Sequence, residues 1–128
     1  MPATDPVDDL VADVFARACA SRGLLENVAG KWGILALAAL NDGAYRFNAL
    51  RRRVDGISEK MLAQTLHALE RDGLVRRDVQ ATIPPRVEYS LTPMGEKISI
   101  KLLELIELVE DQMPEVHASR ARYDDTRP

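Results

Sequence analysis

The sequence has little of several features that define other classes of protein. Its single cysteine, Cys19, excludes an internal disulfide, and with only His67 and His117 it offers no plausible zinc constellation. No apolar run reaches the roughly 18 residues of a membrane span, because charged and turn-forming residues frame even the run from Gly33 to Leu40. The first residues are acidic where a secretory signal is basic and then apolar. We therefore expect a cytoplasmic protein without metal, cofactor or membrane contact.

The sequence also lacks the patterns typical of enzymes. We find no nucleophile with a neighbouring base, no pair of catalytic carboxylates and no glycine-rich phosphate loop. With 128 residues, 46% of them hydrophobic, the chain is long enough for one domain with a real core and too short for two. We predict a disordered tail over residues 1–7, a single domain over 8–116 and a frayed tail over 117–128.

The charges of the chain are unevenly distributed. The formal net charge is −3, but the window from Arg46 to Glu88 contains nine basic and six acidic residues. The remainder contains eight basic and fourteen acidic residues, so the window carries +3 and the flanks −6. This segregation predicts a basic face on an otherwise acidic molecule, whose flanks suppress indiscriminate binding to polyanions.

Hydrophobic residues at spacings of three and four predict five helices. Their approximate bounds are Asp8 to Gly23, Leu24 to Leu40, Asn48 to Val54, Ile57 to Leu74 and Pro93 to Met113. The last helix is capped by Thr92 and followed by Pro114. Its apolar residues occupy more than one face, which indicates a second partner surface.

The fourth predicted helix has an apolar face that suits a core and an opposite polar face, a pattern shared by ordinary amphipathic surface helices and by DNA recognition helices. Ser58 can cap its first turn, and Gly73 tolerates the left-handed conformation where it stops. Leu62, Leu66 and Leu69 lie on its apolar side, together with Met61. The opposite side carries residues that can donate to phosphates and base edges, namely Lys60, Gln64, His67 and Arg71, with Thr65 beside them.

The elements around this helix predict a winged helix-turn-helix. The short Asp55-Gly56 turn joins it to the third helix, and the second member of such a pair lies in the major groove of DNA. Leu74 to Val79 and Arg86 to Leu91 are expected to form two strands, joined through Pro84 and Pro85 at a hairpin tip. The predicted fold is mainly α with a small β-hairpin wing.

This layout nominates individual residues for DNA contact. Lys60, Gln64 and Thr65 are the candidates for base edges, since glutamine can bond adenine in two places and lysine can reach guanine acceptors. For Ser58, a role as helix cap is as well supported as contact with DNA. Met61 is expected to pack in the core rather than to contact a thymine methyl group. The candidates for phosphate contact are one or two of the run Arg51, Arg52 and Arg53, then Arg86 at the wing, and more weakly Arg46 and Lys31.

Several short motifs follow one another in a specific order between about Cys19 and Leu108. They are Gly30-Lys31-Trp32, Arg46-Phe47-Asn48-Ala49-Leu50, Ile57-Ser58-Glu59-Lys60-Met61-Leu62, Leu69-Glu70-Arg71-Asp72-Gly73-Leu74 and Pro85-Arg86-Val87-Glu88-Tyr89-Ser90-Leu91-Thr92 with Gly95. Their combination closely resembles the HxlR-type winged-helix transcriptional regulators of the MarR-like superfamily. The resemblance implies a homodimeric bacterial repressor or activator. Its N- and C-terminal helices would build the dimer, and its two winged helix-turn-helix units would straddle a palindromic operator.

Cys19 has both a functional and a structural interpretation. It lies twelve positions before Lys31, where many members of the family similar to this chain carry a cysteine, in some of them a redox or electrophile sensor. The family usually has proline after that cysteine, whereas Ala20 stands here. Arg17 and Arg22 are near in sequence and favour a reactive thiolate, but free cysteines are also among the most buried residues.

Two functional classes remain open from the sequence. The first is a sequence-specific transcription factor that binds double-stranded DNA as a homodimer and responds to a small-molecule effector or to modification of Cys19. The second is a protein-interaction module, because winged helices also bind proteins and the net charge is negative. Trp32 is expected in the core near the dimer interface. It is the candidate for an effector pocket lined by the first and last helices.

Overall fold

The computed structural model describes residues 14–127 of the chain. The predicted tail over 1–7 and residues 8–13 of the predicted first helix lie outside the described residues. From Val14 to Ala18 the chain forms turns and bends, so within the described part of the first predicted helix only residues 20–23 are helical. The helices are α1 (Ala20–Ala29), α2 (Lys31–Leu40), α3 (Phe47–Arg53), α4 (Glu59–Arg71) and α5 (Pro93–Thr126), and the strands are β1 (Tyr45–Arg46), β2 (Val75–Gln80) and β3 (Arg86–Leu91).

The prediction of one helix from Leu24 to Leu40 is wrong, because the chain bends sharply at Gly30. This residue is extended, with φ −64° and ψ 158°, and α1 and α2 meet at 70°. The close approach of the two helices requires glycine one turn later, since a Cβ on Gly33 would lie 1.8 Å from the carbonyl oxygen of Asn27. Continuous apolar spacing across the bend concealed the break.

The predicted helix-turn-helix is confirmed as α3 and α4. The Ser58 hydroxyl accepts a hydrogen bond from the Met61 backbone N–H at 3.0 Å, which caps the first turn of α4. Gly73 has φ +81°, the left-handed conformation that stops the helix. Leu62, Leu66 and Leu69 are buried, so the apolar face of α4 packs on the core as predicted.

The wing is confirmed, with a third strand that the sequence pattern does not predict. β2 and β3 form an antiparallel hairpin in which Val75 pairs with Leu91 and Gln80 with Arg86. The two-residue strand β1 adds to the other side of β3, so the sheet order is β1-β3-β2. This pairing attaches the wing to the start of α3, which follows β1 directly.

Helix α5 is longer than predicted. The sequence predicts that this helix ends at Met113 and that the chain is frayed from residue 117. Both expectations are wrong, because the helix continues through Pro114 to Thr126. A proline inside a helix removes one backbone hydrogen bond and disfavours the preceding turn. The following residues include several strong helix formers, namely Glu115, Ala118, Arg120, Ala121 and Arg122, which favour continuation.

The core lies where α2 meets α3, α4, the wing and the first turns of α5. Its fully buried side chains include Leu37, Leu50, Leu62, Leu66, Leu69 and Leu74. The buried hydroxyl of Ser99 accepts from the Asn41 amide at 2.7 Å and donates to the Glu96 carbonyl, which ties α5 to the end of α2. Within residues 14–127, no single helix is long and apolar enough to cross a membrane. The bent pair of α1 and α2 has a combined length and apolar composition that would suffice.

Candidate nucleic-acid interface

The first half of α4 presents the predicted base-reading residues on its outer side. Lys60 and Gln64 are exposed, Met61 is 37% exposed and Thr65 is half-buried. Met61 is therefore not a core residue, in contrast to the preferred interpretation of the sequence. Ser58 is exposed, but its hydroxyl oxygen already accepts the capping hydrogen bond. His67 is exposed nearly two turns after Lys60.

A second surface lies between α3 and the wing. It is a cleft of about 810 Å³, and its lining contains Arg46 from β1, Arg52 from α3 and Arg86 from β3. The remaining lining residues are Phe47, Asn48, Ala49, Thr82, Ile83, Pro84, Pro85 and Val87, and none is acidic. We call this recess the basic cleft. Arg86 is distant in sequence from Arg46 and Arg52, and it meets them there because β1 pairs with β3.

The arginine side chains of the basic cleft lack partners among the residues that the structure describes. Among residues 14–127, no side-chain hydrogen bond or ion pair involves the guanidinium groups of Arg46, Arg52 or Arg86. Their donors remain available, since guanidinium groups match the geometry of phosphate oxygens. The cleft therefore has the charge and the free donors to bind an anionic backbone.

The other two arginines of α3 are engaged with carboxylates. Arg51 lies 3.1 Å from a carboxylate oxygen of Glu59 and also donates to the Ile57 carbonyl at 3.5 Å, so it braces the turn before α4. Arg53 Nε lies 3.7 Å from Asp42. Of the run from Arg51 to Arg53, Arg52 alone lines the basic cleft.

Two polar residues of the cleft, Asn48 and Thr82, were not nominated from the sequence. Asn48 follows the first residue of α3, and its side chain is exposed in the cleft. Thr82 lies at the wing tip, where its hydroxyl donates to the Pro84 carbonyl at 2.7 Å. Their polarity was visible in the sequence. Their presence in the same cleft depends on the pairing of β1 with β3.

Lys31 and Trp32 lie at the bend between α1 and α2, beside α4. Lys31 Nζ is 4.4 Å from the centre of the Trp32 ring, a cation–π geometry. Trp32 lines a recess of about 260 Å³ whose other walls include Met61, Gln64 and Thr65. Within residues 14–127 this recess is lined by α1, α2 and α4 and not by α5, while residues 8–13 of the predicted first helix lie outside the described part, so the effector pocket at Trp32 stays a prediction.

Cys19 immediately precedes α1 and is half-buried. Its sulfur lies 3.0 Å from the Ser21 hydroxyl oxygen. Arg22 donates to the Phe15 carbonyl at 3.2 Å and pairs with Glu26 at 3.5 Å. The thiol is thus in a polar environment at the start of a helix, which is neither the dry burial of a structural cysteine nor full exposure.

One hydrogen bond connects α1 with the end of α4. The Asn27 amide donates to the carboxylate of Asp72, the C-cap of α4, at 2.8 Å. Asn27 is in the last turn of α1, whose first turn follows Cys19. Helix α1 therefore connects the position of the thiol to the end of α4, the helix that carries the predicted base-reading residues.

The chain is similar to known proteins over most of its length. The model of the HxlR-like helix-turn-helix family matches residues 27–117. The HTH-type transcriptional regulator YtfH of Escherichia coli (strain K12) is 50% identical over 108 residues, which cover 84% of this chain and 86% of that protein. The solved structure of the transcriptional regulator YtfH from Salmonella typhimurium superposes with a TM-score of 0.80 at 50% identity, covering 85% of this chain and 97% of that one. The solved structure of the redox regulator HypR in its oxidized form superposes with a TM-score of 0.67 at 38% identity, covering 73% of this chain and 96% of that one.

Proposed function

The chain belongs to the HxlR-like helix-turn-helix family of transcriptional regulators, and on this premise we propose that it acts in the cytoplasm as a homodimer on a palindromic operator. The observation that carries the proposal is the basic cleft beside the helix-turn-helix, whose three arginines have no side-chain partner within residues 14–127. Arg52 also lines the groove that leads to Ser58 and Glu59 at the start of α4. One continuous surface can therefore hold phosphates and read bases.

Base reading is assigned to the first half of α4. Lys60, Gln64 and Thr65 are the proposed contacts to base edges, with Met61 beside them for a thymine methyl group. Ser58 acts through its cap, which fixes the first turn of α4. Arg46, Arg52 and Arg86 bind phosphates, and Lys31 is a further phosphate candidate. Arg51 contributes indirectly, because it holds the turn through Glu59.

The proposed dimer is supported by helix α5. Beyond Ile106 nearly all its residues are exposed, and its apolar side chains recur on one side at Leu105, Leu108, Val109, Val116 and Tyr123. We call this set the α5 stripe. Leu105, Leu108, Val109 and Tyr123 expose about half of their surface. Val116 is less exposed than these four. An exposed apolar stripe on a helix with few neighbours fits a second copy of the same helix.

DNA binding is tested with the purified chain and its own promoter region. We expect a footprint of two half-sites separated by about one helical turn or a small multiple of it. Affinity should fall steeply with salt, because each phosphate contact releases counterions. An affinity that does not change between low and moderate salt, or a single half-site bound by a monomer, contradicts the proposal. Stable capture of a protein without any shift of DNA would favour an interaction module, the alternative suggested by the net charge of −3.

Regulation through Cys19 is a separate part of the proposal. It is supported by the likeness to the redox regulator HypR and by the incompletely buried thiol beside Ser21. Modification at this site can move α1 and, through Asn27 and Asp72, the end of α4. Titration of the native protein with a thiol reagent should modify Cys19 and weaken DNA binding, and Cys19→Ser should abolish the response. Modification that leaves DNA affinity unchanged removes the sensor role.

A further inference from the structure

A groove between α2 and α5 differs in chemistry from the DNA-facing surface. Its volume is about 460 Å³, within the roughly 300–1,000 Å³ typical of small-molecule pockets. Its apolar lining consists of Leu35, Ala38, Ala39, Val54, Leu103 and Ile106. Among the described residues its charged lining consists of Asp42, Asp55, Glu107 and Glu110, together with Arg53. We call it the acidic groove.

The charge of the acidic groove is only partly neutralised. Asp42 is occupied, because it accepts from the Tyr45 hydroxyl at 3.2 Å and lies 3.7 Å from Arg53. The other three carboxylates have no hydrogen bond or ion pair with any residue in the range 14–127. An apolar cavity with unneutralised carboxylates at its rim is complementary to a molecule with an apolar body and a positive charge.

The groove lies on the side of α5 opposite to the α5 stripe. At about 100° per residue, Leu105, Leu108 and Val109 are turned roughly 140° to 240° away from Leu103. Ile106, Glu107 and Glu110 lie within about 60° of Leu103 and line the groove. A dimer formed through the α5 stripe therefore leaves the groove open to a ligand.

The groove also touches the helix-turn-helix. Val54 and Asp55 belong to the turn between α3 and α4, three to four residues before the Ser58 cap. A ligand in the groove would contact this turn on one side and α5 on the other. It would thus bias both the position of α4 and the direction of the α5 helix.

We propose that the acidic groove binds an amphiphilic organic cation, with its apolar body on α2 and α5 and its charge near Glu107, Glu110 and Asp55. Occupancy of the acidic groove by the cation changes the affinity of the protein for DNA. This second step rests on the proposed function, whereas binding of the cation does not.

Binding is measured with the full chain and the cationic dye rhodamine 6G, by fluorescence anisotropy without DNA. The double variant Glu107→Gln, Glu110→Gln keeps the shape of both exposed side chains and removes two charges. We expect its affinity for the dye to fall roughly fivefold to tenfold, as for the loss of two partly exposed ion pairs. Ala38→Leu, which fills the groove with apolar atoms, should weaken dye binding as well.

The matched control is Asp111→Asn, Glu115→Gln, which removes two exposed charges from the same helix outside the groove lining. It should bind the dye like the unmodified chain. The anionic dye fluorescein should not bind at the groove. Equal losses in both double variants, equal binding of the two dyes, or no binding of rhodamine 6G overturn the proposal. A change of oligomeric state in Glu107→Gln, Glu110→Gln would show that the groove is an interface between copies, which also overturns it.

The regulatory step is measured on promoter DNA with and without rhodamine 6G. We expect the dye to shift the DNA affinity of the unmodified chain and not that of the groove variant. If the dye binds in the groove without any shift, the regulatory step is wrong. If the chain fails to bind DNA even without dye, the proposed function fails, while the dye-binding result stands by itself.

Discussion

Arg52 and Arg53 are neighbours on α3, yet they line recesses of opposite charge. Arg52 faces the basic cleft, whose lining includes two more arginines and no carboxylate. Arg53 faces the acidic groove, whose lining includes four carboxylates. Successive residues of a helix point about 100° apart, so one helix can serve two surfaces. The difference shows that the function of a charged residue here depends on its partners: Arg53 is paired with Asp42, whereas Arg52 has no partner among the described residues.

The largest effect should come from removing the unpaired charges of the basic cleft. We expect the triple variant Arg46→Ala, Arg52→Ala, Arg86→Ala to lose roughly a hundredfold or more in affinity for the operator. The slope of log affinity against log salt should become shallower by about 5, because the homodimer loses three phosphate contacts on each half-site and each contact accounts for nearly one released counterion. Anisotropy titrations of labelled promoter DNA at several salt concentrations measure both quantities. Retention of the original slope would show that the cleft does not hold DNA.

A second prediction separates base reading from phosphate binding. Replacing Gln64 by alanine should cost about 1–3 kcal/mol on the operator, with little change on unrelated DNA and in the salt slope. His67→Ala, on the same helix but further along, is the control and should bind the operator normally. Equal weakening on operator and unrelated DNA would assign Gln64 to phosphate contact instead.

A smaller effect is expected at the cap of α4. Ser58→Ala removes the acceptor of the Met61 N–H and should lower the free energy of unfolding by about 1 kcal/mol. Ser58→Asp retains a capping oxygen and should keep most of that stability. Denaturant unfolding of the two variants makes the comparison. If both variants are as stable as the unmodified chain, the hydroxyl is not needed as a cap.

The smallest effect should be found at Arg53. Its ion pair with Asp42 is well exposed, since the two side chains are 60% and 57% accessible. We expect Arg53→Ala to change the free energy of unfolding by less than about 0.5 kcal/mol. Its affinity for DNA should change far less than that of Arg52→Ala, measured side by side. If Arg53→Ala lost as much affinity for DNA as Arg52→Ala, the distinction between the arginine paired with a carboxylate and the arginine without a partner among the described residues would not hold.

Local sequence signals predicted the elements that depend on neighbouring residues. The cap at Ser58, the stop at Gly73 and the two long wing strands are confirmed. The apolar face of α4 was predictable as well, because helical periodicity and burial coincide. Two helix boundaries were predicted wrongly because a local rule did not decide the structure. The chain bends at Gly30 despite a continuous apolar pattern, and α5 continues through Pro114, which was expected to end it.

The candidate site was only partly predictable for the same reason. The sequence nominated Arg46, Arg52 and Arg86 separately as positively charged residues in a basic window. It did not indicate that a two-residue strand, Tyr45–Arg46, pairs with β3 and brings them to one cleft. The same pairing explains why Asn48 and Thr82 were missed.

The helix-turn-helix, the wing and the excess of basic residues between Arg46 and Glu88 are encoded locally, since capping, periodicity and charge are properties of neighbouring residues in the chain. Which of these charges are neutralised depends on the folded arrangement. Arg53 and Asp55 lie inside the basic window, but folding places them with Glu107 and Glu110 of α5 in the acidic groove. Charges distant in sequence become neighbours through helix packing and strand pairing, and their partners then determine whether they remain available to a ligand.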